Sequence, residues 1–366
     1  MKRATIAAAI ITRNELKFLP GCLESLQGVV DDVVVVDTGS TDGTQAIVRS
    51  YGAQLFEFAW IDDFAAARNR TLSEVRADWI LYIDADERVR TPERRPISDF
   101  LTPETSAGAY VRFQPRPGYT FYREPRLFVN HPEIRFKGQI HETHRDDLIA
   151  FAERRNLAIP STPVVIEHLG FEGDQSHKHA RNLPLLERET AEHPERPYCW
   201  HHLAETLAGL GRRKEAIEAC RRGLNIPMEA PSTKAIVDRR QLSKTYARLL
   251  LDDGQAANHI IGALLEEMPE DWALLYLQAR SDLATGRHDL ALAIAERLKS
   301  VDPDGLADGF VAYDRRLFGD LAWDLAAAGH VEAGRCKEAA AAYRQAALLA
   351  PQVLSYRVKA AALAAL

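Results

Sequence analysis

Residues 33–44 read VVVVDTGSTDGT. Four consecutive valines show no alternation of apolar and polar positions, so the strand Val33–Asp37 is expected to bury both faces. It ends on a carboxylate. The turn-forming DTGSTDG that follows opens a helix to about Ser50, with Gly52 placed to stop it. The alternation extends in both directions. Ala4–Thr12 reads as a strand and Leu16–Gln27 as a helix, then Ala53–Phe58 as a strand, Phe64–Val75 as a helix and Trp79–Ile83 as a strand. Buried β-branched strands separated by helices predict a mostly parallel sheet covered on both faces, an α/β domain. Ligands of such sheets bind beyond the carboxyl ends of the strands, where the acidic residues here gather.

Beyond about residue 180 alanine and leucine recur at helical spacing and strand signals cease. LAGLGRRKEAIEACRRGL, LDDGQAANHIIGALL, LATGRHDLALAIAERL and VEAGRCKEAAAAYRQAALLAP repeat one plan. In three of them a glycine precedes an alanine by five residues: Gly211 and Ala216, Gly286 and Ala291, Gly334 and Ala339. Gly254 marks a more degenerate unit, and Pro227, Pro303 and Pro351 close the second helix of their units. Glycine turns, small residues where paired helices cross and a terminating proline resemble tetratricopeptide repeats. Glycine intervals of 43, 32 and 48 residues make the array irregular. A chain of 366 residues is long for one core, so two domains are expected: residues 1–180, α/β, and residues 181–366, all-helical.

A net charge of −6 without a long basic run gives no electrostatic case for nucleic acid. Nothing approaches the about 18 consecutive apolar residues of a transmembrane segment. Lys2 and Arg3 before Ala4–Ile11 imitate a signal peptide, but the stretch is short and runs straight into Arg13, Asn14 and Glu15, as a first strand would. Cys22, Cys199, Cys220 and Cys336 show no metal or redox spacing and are expected to be reduced, structural thiols of a cytoplasmic protein.

The strongest chemical signal is WILYIDADE, residues 79–87. In extended geometry residues two apart share a face, so Asp84 and Asp86 can point at one cation just past a strand. A hard divalent ion held by oxygens keeps positions open for a diphosphate and stabilises charge on a departing nucleoside diphosphate. Asp302 and Asp304 repeat the spacing in an inter-repeat loop, where a helix cap or turn is expected. Asp37 also ends a strand and is expected to accept hydrogen bonds from a nucleobase or ribose. Ser40, Thr41 and Asp42 can cap the next helix, which is the expected role of Thr41 and Asp42.

ITRNE, LPGCLESL, VVVVDTGSTDGT and WILYIDADE, in that order over residues 4–90, resemble the opening of the family 2 glycosyltransferases. These have the GT-A fold, one Rossmann-like sheet around a nucleotide sugar. WIDDFAAARNRTL narrows the likeness to the subgroup fused to tetratricopeptide-like repeats, which includes sublancin-type S-glycosyltransferases. The resemblance implies that Thr12, Asn14 and Glu15 lie beside the nucleoside, that Asp37 contacts the base, and that Asp84 and Asp86 form the metal and diphosphate motif, with Mn2+ or Mg2+ as cofactor. Arg68 would reach a phosphate or form a structural ion pair. DTGS stands where DDGS is common, so any role that needs a second carboxylate at Thr38 is in doubt.

In IRFKGQIHETH a strand-like alternation precedes His141, the candidate third metal ligand, and Glu142, the candidate general base. Asp86 and Glu142 are thus the expected catalytic residues. The bland alternative is a buried histidine and a surface glutamate, and His144 is assigned to it. His168, after an apolar strand, is a second metal or acceptor candidate. Lys178 and Arg181, three apart on a helix, share a face that would close over the diphosphate or be simply solvated. The activity implied is inverting, metal-dependent transfer of a hexose from a nucleoside diphosphate sugar, by default a UDP-sugar, to a peptide or protein. The repeats would recognise that acceptor or pair two chains. A lipopolysaccharide or other glycan acceptor is the enzymatic alternative. An interaction protein with an inactive transferase domain is the alternative of another class. Phosphatase chemistry is disfavoured by Arg88, and nucleotidyl transfer by ITRNE where a glycine-rich loop would stand.

Overall fold

A computed structural model describes residues 3–170, 176–228 and 233–365. The chain divides into two compact units, Met1–Gly173 with Asp304–Ala312, and Asp174–Pro303 with Tyr313–Leu366. The first helix of the second unit begins at Ser176.

The first unit is built on strands β1 (Ile6–Thr12), β2 (Asp32–Asp37), β3 (Gln54–Glu57), β4 (Trp79–Tyr82), β5 (Glu87–Arg90), β6 (Gly108–Gln114), β7 (Tyr122–Val129) and β8 (Ser161–His168). Helices α1 (Leu19–Leu26), α2 (Thr44–Ser50), α3 (Phe64–Glu74) and α4 (Arg145–Arg155) accompany them. Among the described residues the strands form one sheet in the order β3-β2-β1-β4-β7-β6-β8-β5. β1 to β4 pair parallel with one another, as does β6 with β8, whereas β4·β7, β6·β7 and β5·β8 are antiparallel. Alternate residues of the central strands feed opposite cores, Ile6, Ala8 and Ile10 on one side and Ala7 and Ala9 on the other. That explains why polar residues stand only at the ends of β1 and β2.

The segment Asp304–Ala312 meets the antiparallel pair β6 and β7 of this unit. Asp308 accepts two hydrogen bonds from Arg112, both at 3.0 Å, and the Arg123 amide donates to Gly309 at 2.8 Å. Asp304 opens a short 3-10 turn, Pro303–Leu306, as the turn reading expects.

The second unit comprises α5 (Ser176–Glu192), α6 (Pro197–Gly209), α7 (Arg213–Asn225), α8 (Thr233–Asp252), α9 (Asn258–Glu267), α10 (Trp272–Ala284), α11 (His288–Lys299), α12 (Asp320–Glu332), α13 (Cys336–Leu349) and α14 (Leu354–Ala364). Gly211, Gly254, Gly286 and Gly334 all turn at φ between 71° and 75°, a left-handed conformation only glycine adopts freely. Ala216, Ala291 and Ala339 are fully buried where the paired helices cross. Among the described residues no helix is long and apolar enough to cross a membrane.

Candidate active site

The carboxyl ends of β1 and β2 place Thr12 beside Asp37. Asp37 is 1% exposed and accepts from the amides of Gly39 (3.1 Å) and Ser40 (2.9 Å), from Gln45 Nε2 (2.9 Å), from Thr12 Oγ1 (3.1 Å) and from the Ser40 hydroxyl. Burial alone would raise its pKa, but the hydrogen bonds from Ser40 and Gln45 outweigh that and hold it below the ordinary value. Asn14, left-handed at φ 57°, donates its amide to Ser40 Oγ (2.8 Å) and accepts from the Thr41 amide (2.8 Å). The Glu15 amide reaches Thr44 Oγ1 (2.9 Å) and the Leu16 amide reaches Asp42 (3.1 Å). Two loops are thereby laced into one wall, with Asp37 as the internal acceptor that shapes it. Thr38 ties its hydroxyl to the Thr12 carbonyl (3.0 Å), so the threonine of DTGS has its own structural duty. Asp42 accepts from the Thr44 amide (3.0 Å) just ahead of α2, whose N-cap position is Gly43, while Thr41 bonds to Asn14.

Past β4 the chain turns through Asp84–Asp86 into β5. Arg68, buried on α3, donates Nη2 to Asp84 Oδ1 (2.8 Å) and Nε to Glu142. The ion pair is one of its two expected roles. Burial would raise the Asp84 carboxyl, but Arg68, and then Arg126, hold it at about 2. Asp86 meets His168, Oδ2 to Nε2 at 3.1 Å, because antiparallel pairing sets Glu87 opposite His168 and the Leu169 amide donates to Asp86 O (2.9 Å). Burial would lower the His168 pKa, but its bond to Asp86 outweighs this and raises it. Behind them Gly170 packs so closely that a β-carbon there would overlap the Asp86 carboxylate.

The segment before Glu142 is a loop, although its alternation suggested a strand. Lys137 and Thr143 close it with two backbone bonds (3.0 and 3.1 Å), and Gly138 and His141 turn at φ 101° and 53°. Its hydrogen-bonding groups are taken by α3 rather than by a neighbouring strand. Asn69 exchanges two 2.9 Å bonds with the Phe136 backbone, and the Phe64 amide donates to Gln139 O (2.8 Å). α3 therefore carries Arg68 and pins the loop that presents His141 and Glu142. His144 is buried among the rings of Phe128, Phe136 and Tyr82, with centroids 4.5, 4.9 and 5.1 Å away. Burial, and then Arg126 and Arg68, push its pKa down to about 3.

The structure brings Thr12, Asn14, the Glu15 backbone and Asp37 together in one wall, and Arg68, Asp84 and Glu142 in one chain of ion pairs. It pairs Asp86 with His168, the second of the two histidine candidates. His141 stands next to Glu142, and among the described residues no three His, Cys, Asp or Glu side chains are gathered as a ready-made metal cage. Lys178 and Arg181 lie on α5, in the second unit, where Arg181 bonds to its neighbour Asn182 (3.1 Å). Glu87, Arg126, Tyr82 and Gln45 escaped the sequence reading.

Residues 8–164 match the family described as Glycosyl transferase family 2. The chain is 35% identical over 252 residues to a TPR repeat-containing protein of Synechococcus elongatus, covering 65% of this chain and 62% of that protein. It is 25% identical over 235 residues to the SPbeta prophage-derived glycosyltransferase SunS of Bacillus subtilis, covering 60% and 53%. Among solved structures it aligns with S. aureus TarS 1-349 at 13% identity and a TM-score of 0.37, covering 81% and 92%. The chain spans 62% and 53% of the length of these two curated relatives.

Proposed function

We propose that this chain, a family 2 glycosyltransferase domain joined to tetratricopeptide-like repeats, transfers a hexose with inversion from a nucleoside diphosphate sugar to a peptide or protein. The observation that carries this reading is the meeting of Asp86 with His168, next to Asp84, at the carboxyl end of β4. A carboxylate oxygen and an imidazole nitrogen 3.1 Å apart suit a divalent manganese or magnesium ion that displaces the proton between them, and Gly170 keeps a side chain out of the place where the carboxylate sits. Asp86 and His168 would hold that cation. Bound there, the cation would offset the negative charge that gathers on the departing diphosphate.

The laced loops around Asp37 would receive the nucleoside, uridine being the family's usual base, and Thr12, Asn14 and Glu15 would line its approach. Arg68 fixes Asp84 from beneath, so that carboxylate stays ionised and oriented. The acceptor atom attacks the anomeric carbon as the bond to the diphosphate oxygen breaks, and its proton passes to a carboxylate. Glu142 is that base in our reading. Arg68 occupies Oε1, so the proton would fall to Oε2. A thiol acceptor, close to ionisation at neutral pH, would need little more help. The helical repeats supply a surface suited to an extended peptide.

The test is thermal unfolding of the full chain with manganese or magnesium and a panel of nucleoside diphosphates. A ligand at a hundredfold excess over its Kd stabilises the folded state by about 2.7 kcal/mol. A cation-dependent rise with one nucleotide, lost in Asp86→Ala, is expected. No rise with any nucleotide in a well-folded sample would refute the donor site and favour an interaction protein with an inactive transferase domain.

A further inference from the structure

Glu87 and Arg126 form an ion pair in a place where strands ordinarily bury apolar side chains. Glu87 is 1% exposed, and Arg126 donates to both of its oxygens, at 3.0 and 3.2 Å. The guanidinium lies between the rings of Tyr82 and Phe113, 4.3 and 4.4 Å from their centroids. Its Nε has no partner among the described residues. A pair withdrawn from water this completely is no stabiliser in itself, since apolar residues of similar volume commonly serve a fold as well or better. Its geometry points elsewhere. Glu87 Oε2 accepts the amide of Asp84 at 2.9 Å, and the Glu87 amide donates to the Asp84 carbonyl at 3.0 Å. The glutamate therefore closes the Asp84–Asp86 turn from below, and Arg126 fixes the glutamate. Glu87 is also the residue whose pairing with His168 brings that imidazole to Asp86.

We propose that Glu87 and Arg126 are positioning residues for the cation and diphosphate site. The pair sets the pitch of the Asp84–Asp86 turn and the register that brings His168 to it, and touches no ligand itself. An apolar pair could fill the same volume but would offer the Asp84 amide no acceptor. A glutamine at 87 would still offer one. This inference rests on the donor-site reading above.

The experiment is titration calorimetry of manganese with the nucleoside diphosphate that stabilises the wild-type chain, alongside thermal unfolding without ligand. Three proteins are compared: wild type, Glu87→Gln, and the double variant Glu87→Met with Arg126→Met. The double variant is expected to unfold cooperatively while its Kd for the manganese–nucleotide rises about tenfold or more, the usual effect of losing residues that orient metal ligands. Glu87→Gln is expected to bind close to wild type. A double variant that binds like wild type overturns the proposal. So does one that fails to fold, since the pair would then be holding the domain together rather than aiming the turn. A Glu87→Gln protein as impaired as the double variant overturns it too. No binding by the wild type would refute the donor site itself, an outcome separate from any difference among the variants.

Discussion

Acid should destabilise this protein through His144, and the size of the effect follows from the site of that residue. The imidazole is buried in a cage of three aromatic rings, with Arg68 and Arg126 nearby, and its Nε2 has no hydrogen-bond partner among the described residues. Its pKa falls from an unfolded value of 6.5 to about 3. The unfolded chain therefore binds the proton first as the pH drops. The contribution of neutral His144 is fully present above pH 6.5 and is lost as the pH falls towards 3. One pH unit below the unfolded value costs about 1.4 kcal/mol and two units about 2.7 kcal/mol. His144→Phe keeps the aromatic packing and removes the titration. It also loses the bond to the Pro125 carbonyl, which costs about 1 kcal/mol, and removes an unpaired buried nitrogen, which offsets much of that. Thermal unfolding of both proteins from pH 7.5 to 4.5 should show the wild type losing stability faster, the curves crossing near pH 6. Parallel curves over the whole range would refute the assignment of a neutral buried His144.

Three further outcomes follow from other residues. Asp37→Asn sets an amide against donors that need an acceptor and should cost about 3 kcal/mol, visible as faster hydrogen exchange at Ser40 and a lower melting temperature. Gly170→Ala drives a methyl group into the Asp86 carboxylate and should weaken cation–nucleotide binding about tenfold, measured by calorimetry, with the fold intact. Gly286→Ala forces a side chain to φ 75° in a turn between repeat helices and should lower stability by about 1–2 kcal/mol in a denaturant titration, without touching nucleotide binding.

What could be read from the sequence was whatever local pattern encodes. β1, β2 and β4 were legible because parallel strands buried on both faces are unbroken apolar runs. The repeat turns were legible because a left-handed turn demands glycine. The start of α1 was misplaced by three residues, Leu16 rather than Leu19, because residues 16–18 form a turn closed by the Phe18 and Leu19 amides on the Glu15 carbonyl before the helix begins. The limit of local pattern explains the site. Asp84, Asp86 and Arg68 announce themselves by position, but the partner of Asp86 is decided by the pairing of β5 with β8, about 80 residues apart in sequence. Glu87 and Arg126 look like ordinary strand charges until β7 pairs beside β4 and points the arginine inward.

The most direct test of the donor site is manganese binding followed by electron paramagnetic resonance, with and without a nucleoside diphosphate. If the nucleotide tightens manganese binding, manganese must tighten nucleotide binding by the same factor. The account predicts that the nucleotide tightens manganese binding in the wild type, that Asp86→Ala and His168→Ala abolish the effect, and that Asp302→Ala leaves it unchanged. Manganese bound equally well without nucleotide and in the Asp86 and His168 variants would contradict it.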